Sequence, residues 1–355
     1  MWWIIIFSSL CLALTYLQDK GQMKRGMLYG FTIMTAFLSI RYNYGNDFMT
    51  YVDIFNDVRV LDWDELDRLT RYNEIGWLVL CKVFSPLGFQ WLILFHTIFV
   101  FTTFYYLINK YVPRGWKWLA VFFFLFNCNI LVIYLSMLQQ SLAICCFLIA
   151  VDKALDKKVL YMVLWSALAY FSHRSAIISF PFVLFAYTSS SWIIVLTSVF
   201  SIGLMVSMIV DSSIAANLLS YALSNIDLLG NAYEDYTEGE KMGSGLGLIA
   251  EAIVFLPVAK YYKKLSLVEK VIVFLFFVNI VVFPLQYIIL LFARVRYYFA
   301  VFGTLAIPMI MNKTKTKVIR NTIIAITVFI TFWNYWGFFH SATFYKNFYI
   351  FHTIF

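Results

Sequence analysis

Long apolar blocks alternate with short polar stretches from one end of the chain to the other. The blocks approach the roughly 20 residues that a helix needs to cross a hydrocarbon core about 30 Å thick. Their approximate limits are 2–17, 26–41, 90–108, 118–134, 137–152, 159–172, 176–188, 192–210, 246–260, 268–289, 297–311 and 318–338. No period-two alternation of the kind used by membrane barrels replaces them, so the predicted spans are helices, which satisfy their own backbone hydrogen bonds. The pattern predicts an all-α fold: a polytopic integral membrane helical bundle of about twelve transmembrane helices, as a single membrane domain over residues 1–355. The short block 176–188 also fits a re-entrant helix, which would shift that count.

Two polar segments interrupt the pattern. In the first, about 42–89, Trp63, Leu66, Leu69 and Tyr72 recur every three residues between charges, which predicts a helix lying in the membrane interface. The stretch from Glu74 to Phe84 is short for a span and ends at Ser85-Pro86-Leu87-Gly88, which predicts a second interfacial or re-entrant helix. The second polar segment, about 211–245, closes on a Gly-Ser-Gly run and reads as a long external loop.

Composition agrees with a membrane protein. Hydrophobic residues make up 62% of the 355 and charged residues 13%, about half the charged share of a soluble domain. The net charge of +8 reads as a topology signal rather than a nucleic-acid patch. Basic residues gather at Lys20/Lys24/Arg25, Lys110/Arg114/Lys117, Lys153/Lys157/Lys158, Lys260/Lys263/Lys264/Lys270 and Lys313/Lys315/Lys317/Arg320. Taking these as cytoplasmic puts both termini and both polar segments outside. The block at 2–17 has its basic residues after it, so it reads as a span rather than a cleaved signal. The five cysteines lie in or beside apolar blocks, with neither disulfide nor zinc spacing, and the four histidines are scattered, so no metal or cofactor is expected.

Against that topology Arg41, Arg174, Arg294 and Arg296 are exceptions, each at an end of an apolar block facing away from the cytoplasm. Cations held there suggest capture of an anion such as a lipid-linked phosphate, although an interfacial arginine can also snorkel to water. Arg41 heads the densest polar cluster, Arg41-Tyr42-Asn43-Tyr44-Gly45-Asn46-Asp47 with Tyr51 beyond; its Gly-Asn pair predicts a turn folding Asp47 back toward Arg41. Ser172-His173-Arg174-Ser175 is a polar island between apolar blocks, with a histidine able to donate, accept or carry charge near neutral pH. Gln139 and Gln140 either bridge helices or bind sugar hydroxyls. Glu251 is an ionisable group inside a block, read as a proton-handling residue, an arginine partner or a group reaching water. His96 reads as a packed histidine, and most of the aromatic residues, 20% of the chain, as lipid-facing.

At these residues the chain resembles the Wzy-type bacterial repeat-unit polymerases of O-antigen, capsule and exopolysaccharide, in particular the EpsG-like branch. The resemblance rests on Arg41 through Asp47 with Tyr51, on Asn73-Glu74-Ile75-Gly76, on Gln140-Ser141-Leu142-Ala143, on Phe171 through Ser175, and on Arg294-Val295-Arg296-Tyr297-Tyr298-Phe299. The cues keep their order over roughly residues 40–300. One departure is Gln139, where family members commonly carry an arginine. The resemblance implies a multi-pass enzyme of the bacterial inner membrane, active at the periplasmic or outer face. Its partners would be undecaprenyl-diphosphate-linked glycan donor and acceptor, membrane lipids and, as a candidate, a chain-length regulator protein. On this reading Arg41, Arg174, Arg294 and Arg296 bind lipid diphosphate, Asp47, Glu74 or His173 acts as base, and Tyr51, Gln139, Gln140 and Tyr297 contact glycan. The alternatives are a flippase or exporter of lipid-linked sugars, which should show paired broken helices and inverted repeats, and a transferase decorating a surface glycan.

Overall fold

A computed structural model describes residues 1–69, 74–190, 199, 252–287, 291–342 and 344–354. The loop 211–245, nearly all of the block 192–210, and Glu251 lie outside the described residues. The chain divides into two compact units, Met1–Tyr187 with Thr331–Phe355, and Thr188–Ile330.

The first unit is built from α1 (Trp2–Asp19), α2 (Gly26–Ser39), α3 (Phe48–Val60), α4 (Ile75–Phe84), α5 (Phe89–Tyr111), α6 (Lys117–Phe126), α7 (Leu131–Ser136), α8 (Leu138–Leu155), α9 (Val159–Ser172) and α10 (Phe180–Thr188). Helices α5 and α8 run side by side in the same direction: His96 meets Ser141 at 2.6 Å near their starts, and Lys110 meets Asp152 at 2.7 Å near their ends. Helix α9 returns along α8, so Ser172 comes back to the end of the unit where α8 begins.

The described residues of the first polar segment are largely helical despite its polarity. Phe48, Tyr51, Phe55 and Val58 form one face of α3 and pack with Trp77, Leu78 and Cys81 of α4 and with Leu92, Ile93, Leu138 and Leu142. This cap closes one end of the bundle. The three-residue period expected over Trp63–Tyr72 is a 3₁₀ helix over Trp63–Leu69, whose three residues per turn stack Leu66 and Leu69 toward the cap, while Tyr72 lies outside the described residues. The stretch after Glu74 is helical, as α4.

In the second unit lie α11 (Leu256–Tyr261), α12 (Leu267–Val282), α13 (Leu291–Ala300), α14 (Gly303–Lys313) and the start of α15 (Lys317–His340). Ser266 and Glu269 close a reciprocal capping box at the start of α12. The short α16 (Tyr345–Phe348) and a two-residue strand, His352–Thr353, complete the first unit.

Among the described residues four helices are long and apolar enough to cross a bilayer: α1, α5, α8 and α15. Five more apolar helical stretches are 10–17 residues long. The all-α membrane class is therefore present, whereas the count of twelve crossings is not reproduced. Several blocks expected as single spans are broken. Block 118–134 becomes α6 and α7, because the Asn127 side chain accepts the Asn129 N–H at 3.0 Å and turns the backbone. Block 268–289 ends its α-helix at Val282 beside Pro284, which has no N–H to continue the ladder. Block 297–311 divides between α13 and α14, with i→i−3 bonds at Phe302 and Thr304 tightening the junction.

Candidate functional site

The segment after α2 leaves the helix as a strand, Arg41–Tyr42, paired antiparallel with His352–Thr353. Asn43 (φ +44°) and Gly45 (φ +113°) make the turn. Gly45 also sits so close to Ser136 that a Cβ would lie 3.0 Å from its Cα, while the Ser136 hydroxyl accepts the Asn46 N–H at 3.1 Å. The C-terminal segment straps this turn down. Asn347 accepts the Gly45 N–H at 3.2 Å and donates to the Asn46 side chain at 2.9 Å, and the Tyr44 hydroxyl donates to the Phe348 carbonyl at 3.0 Å. The amino group of Met1 reaches the Tyr349 carbonyl.

Arg41 lies beneath the strap with no exposed surface. Its Nη1 donates to the Leu38 carbonyl at 2.8 Å and to the Thr97 hydroxyl at 3.0 Å, whereas Nε and Nη2 have no hydrogen-bond partner among the described residues. The Gln90 amide donates to the Arg41 and Ser39 carbonyls and fixes the backbone there. A buried guanidinium with two nitrogens, and so three N–H bonds, unspent is costly to the fold, on the order of several kcal/mol. Asp47 follows the turn at the N-cap of α3, half-buried.

Glu74 and Arg174, 100 residues apart, come together at the same end. One Glu74 oxygen accepts the Arg174 N–H at 3.0 Å and the other meets Arg174 Nε at 3.1 Å. Burial raises the Glu74 carboxyl above its ordinary value even though three contacts from Arg174 oppose the shift. Two residues on, Gly76 lies against α9: a Cβ there would stand 2.5 Å from the Phe171 carbonyl oxygen. That glycine is what allows α4 to approach closely enough for Glu74 to reach Arg174.

His173 caps the 3₁₀ helix Arg174–Ser179, its Nδ1 accepting the Ser175 N–H at 3.2 Å with the Ser175 hydroxyl at 2.9 Å. A backbone N–H can only donate, so Nδ1 is unprotonated here and the neutral ring carries its hydrogen on Nε2. Gln140 is buried and Gln139 half-buried on the first turn of α8, and Tyr51 packs its ring 5.0 Å from Trp77. Beside Glu74 and Ser172 opens an apolar cavity of about 520 Å³ between α4, α5, α8 and α9.

Arg294, Arg296 and Tyr297 belong to α13 in the second unit. Arg296 is buried, donates from Nε to the Asn279 side chain at 3.1 Å and from Nη1 to Gln286 at 3.4 Å, and lies over the Phe283 ring at 4.0 Å. Arg294 and Tyr297 are half-buried. No group of three or more His, Cys, Asp or Glu side chains suited to a metal gathers among the described residues.

Sequence reasoning passed over Thr97, Gln90, Asn279, Gln286 and the strap at 344–354. The three amides carried a signal, since each is a hydrogen-bonding side chain within an apolar block. Thr97 carried none, because a threonine in a helix commonly bonds its own backbone, as it does here to the Ile93 carbonyl at 2.7 Å.

No curated protein and no solved structure matches the chain. The EpsG family description matches residues 26–352, a range that holds the turn at Arg41, the Glu74–Arg174 pair, α13 and the start of the strap. The chain therefore belongs to the EpsG family, a polysaccharide polymerase-like family.

Proposed function

We propose that this protein polymerises polyprenyl-diphosphate-linked oligosaccharide repeat units at the outer face of the bacterial inner membrane. The growing glycan passes from its lipid diphosphate to a sugar hydroxyl of a new lipid-linked unit. The observation that carries the proposal is Arg41: a fully buried guanidinium with two nitrogens unpartnered among the described residues, in a chain of a polymerase-like family.

The chemistry asks for what such residues offer. As the anomeric C–O bond breaks, its electron pair leaves with the diphosphate, and negative charge grows on the phosphate oxygens. Fixed guanidinium donors aimed there stabilise the transition state more than the ground state. Arg41 and Arg174 take this role in the first unit. Arg294 and Arg296 carry the same chemistry in the second unit, and donor and acceptor lipids bring two diphosphates. The acceptor oxygen bonds the anomeric carbon while its proton passes to a carboxylate. Glu74 is the preferred base, because burial moves its carboxyl toward neutral pH, and Asp47 is the alternative. His173, with its hydrogen on Nε2, serves as a donor to the acceptor sugar. Gln139, Gln140, Tyr51 and Tyr297 are assigned to the glycan or to the walls that shape its path.

Reconstitution with a defined undecaprenyl-diphosphate repeat unit tests the reading. It predicts a ladder of products growing by whole repeat units, with free lipid diphosphate released once per bond made. Movement of the unit across the bilayer without any ladder would replace the polymerase with a transporter.

A further inference from the structure

The cavity beside the Glu74–Arg174 pair is a walled groove rather than a flat apolar face. Helices α4, α5, α8 and α9 enclose about 520 Å³, within the range that holds a substantial part of a bound molecule, roughly 300–1,000 Å³. Phe99, Cys146 and Trp165 are among the residues that line it, and the Phe99 and Trp165 rings stack at 6.1 Å. Val79, Phe95 and Leu168, which also line it, are each 37–40% exposed, so the groove opens sideways through apolar residues. An opening of that kind admits molecules from lipid rather than from water. At its other limit the lining reaches Gly76, Phe171 and Ser172, two to three residues from Glu74 or Arg174. Arg174 keeps 38% of its side chain exposed there.

A ligand that fits this arrangement has a long apolar tail and an anionic head group. We propose that the groove holds the isoprenoid tail of the lipid-linked substrate, placing its diphosphate at Arg174; this rests on the polymerase reading above. Two features bear on the occupant. Aromatic rings and the small Cys146 share the lining, an uneven wall that suits a branched, unsaturated chain better than a straight one. At one limit the apolar lining gives way to the chain neighbours of Glu74 and Arg174, which sets a cation beside that end for an anionic head group.

The test uses the full chain in nanodiscs of phosphatidylethanolamine and phosphatidylglycerol, doped with undecaprenyl diphosphate and without acceptor. Photoreactive benzoylphenylalanine replaces Trp165 in the groove or, as a control, Leu160, which is 78% exposed on the same helix. Mass spectrometry then identifies the lipid attached. The proposal predicts polyprenyl adducts at position 165 enriched about tenfold over the bilayer mole fraction, the ratio expected for roughly 1.4 kcal/mol of selectivity. At position 160 the adducts should follow bilayer composition. Cys146→Trp, filling the groove, should lower the polyprenyl adduct at 165 by about the same factor, and Cys146→Ser should leave it unchanged. Phospholipid adducts in bilayer proportion at both positions would overturn the proposal. Because no turnover is needed, adducts without polymer in the reconstitution would sink the polymerase reading and keep the groove, and polymer without enriched adducts would do the reverse.

Discussion

The two ends of the first unit treat charge in opposite ways. At the end where α5 and α8 finish, Asp152 is buried and surrounded. Lys110 meets it at 2.7 Å, Lys153 at 2.8 Å and the Tyr111 hydroxyl at 2.8 Å, while Lys110 also reaches Asp156. Asp19 accepts the Gly115 and Trp118 N–H groups nearby. Each carboxylate there is spent on the fold. At the other end Arg41 is buried on two neutral acceptors with two nitrogens unpartnered among the described residues, and Glu74 holds Arg174 while a third of that arginine stays exposed. The first arrangement ties helices together. The second stores unsatisfied bonding capacity, which a structural role alone would have removed.

The largest expected effect falls at the unsatisfied end. Arg41→Lys keeps the charge and loses the fork, and polymer made per folded protein should drop by about 10²-fold, the scale for removing one donor to developing charge. Near-normal polymer length in a strain lacking the native copy would erase the contrast. At the satisfied end Asp152→Ala should cost about 1–3 kcal/mol, less than a wholly buried pair because both lysines are partly exposed. Its signature is a lower melting temperature in detergent with polymer per folded molecule unchanged; loss of activity without loss of stability would mean that this end also works on substrate. The smallest effect is a titration. Glu74 has its carboxyl raised in the folded state, so its ionisation opposes folding. Stability is full below the ordinary value of 4.5, falls as pH climbs from there through the folded-state value, and is level above it. Arg174→Ala removes the contacts that oppose the shift and should raise the value further. The infrared carbonyl band of the protonated acid, absent in Glu74→Gln, follows it, and a band that vanishes at or below pH 4.5 would show that burial does not govern this group.

Much of this organisation was legible in the residues. The clusters at Lys20, Lys110 and Lys153 do gather at one end of the first unit, and Arg41, Glu74, His173 and Arg174 at the other, because a helix carries a charge pattern along its length unaltered. A turn after Arg41 followed from the Gly45-Asn46 pair, although the residues that take positive φ are Asn43 and Gly45. Helix α3 was missed although Phe48, Tyr51, Phe55 and Val58 mark a helical face, since acidic residues between them made the segment look like solvent-facing chain. The helix breaks at Asn127 and after Ala300 were hidden for a different reason: apolar composition shows where lipid is tolerated, not where the ladder stops. The pairing of Glu74 with Arg174 and the strap over Arg41 depend on contacts across 100 and about 300 residues, which no local pattern encodes.

The central claim is that Arg41 is kept for a ligand at the expense of the fold, and Arg41→Met tests it directly by retaining bulk while deleting the buried charge. Melting temperature and reconstituted polymer synthesis are measured on the same purified preparation. The account predicts a more stable protein, by about 1–4 kcal/mol, that makes no polymer. A less stable protein that still polymerises would contradict it and make Arg41 a structural residue.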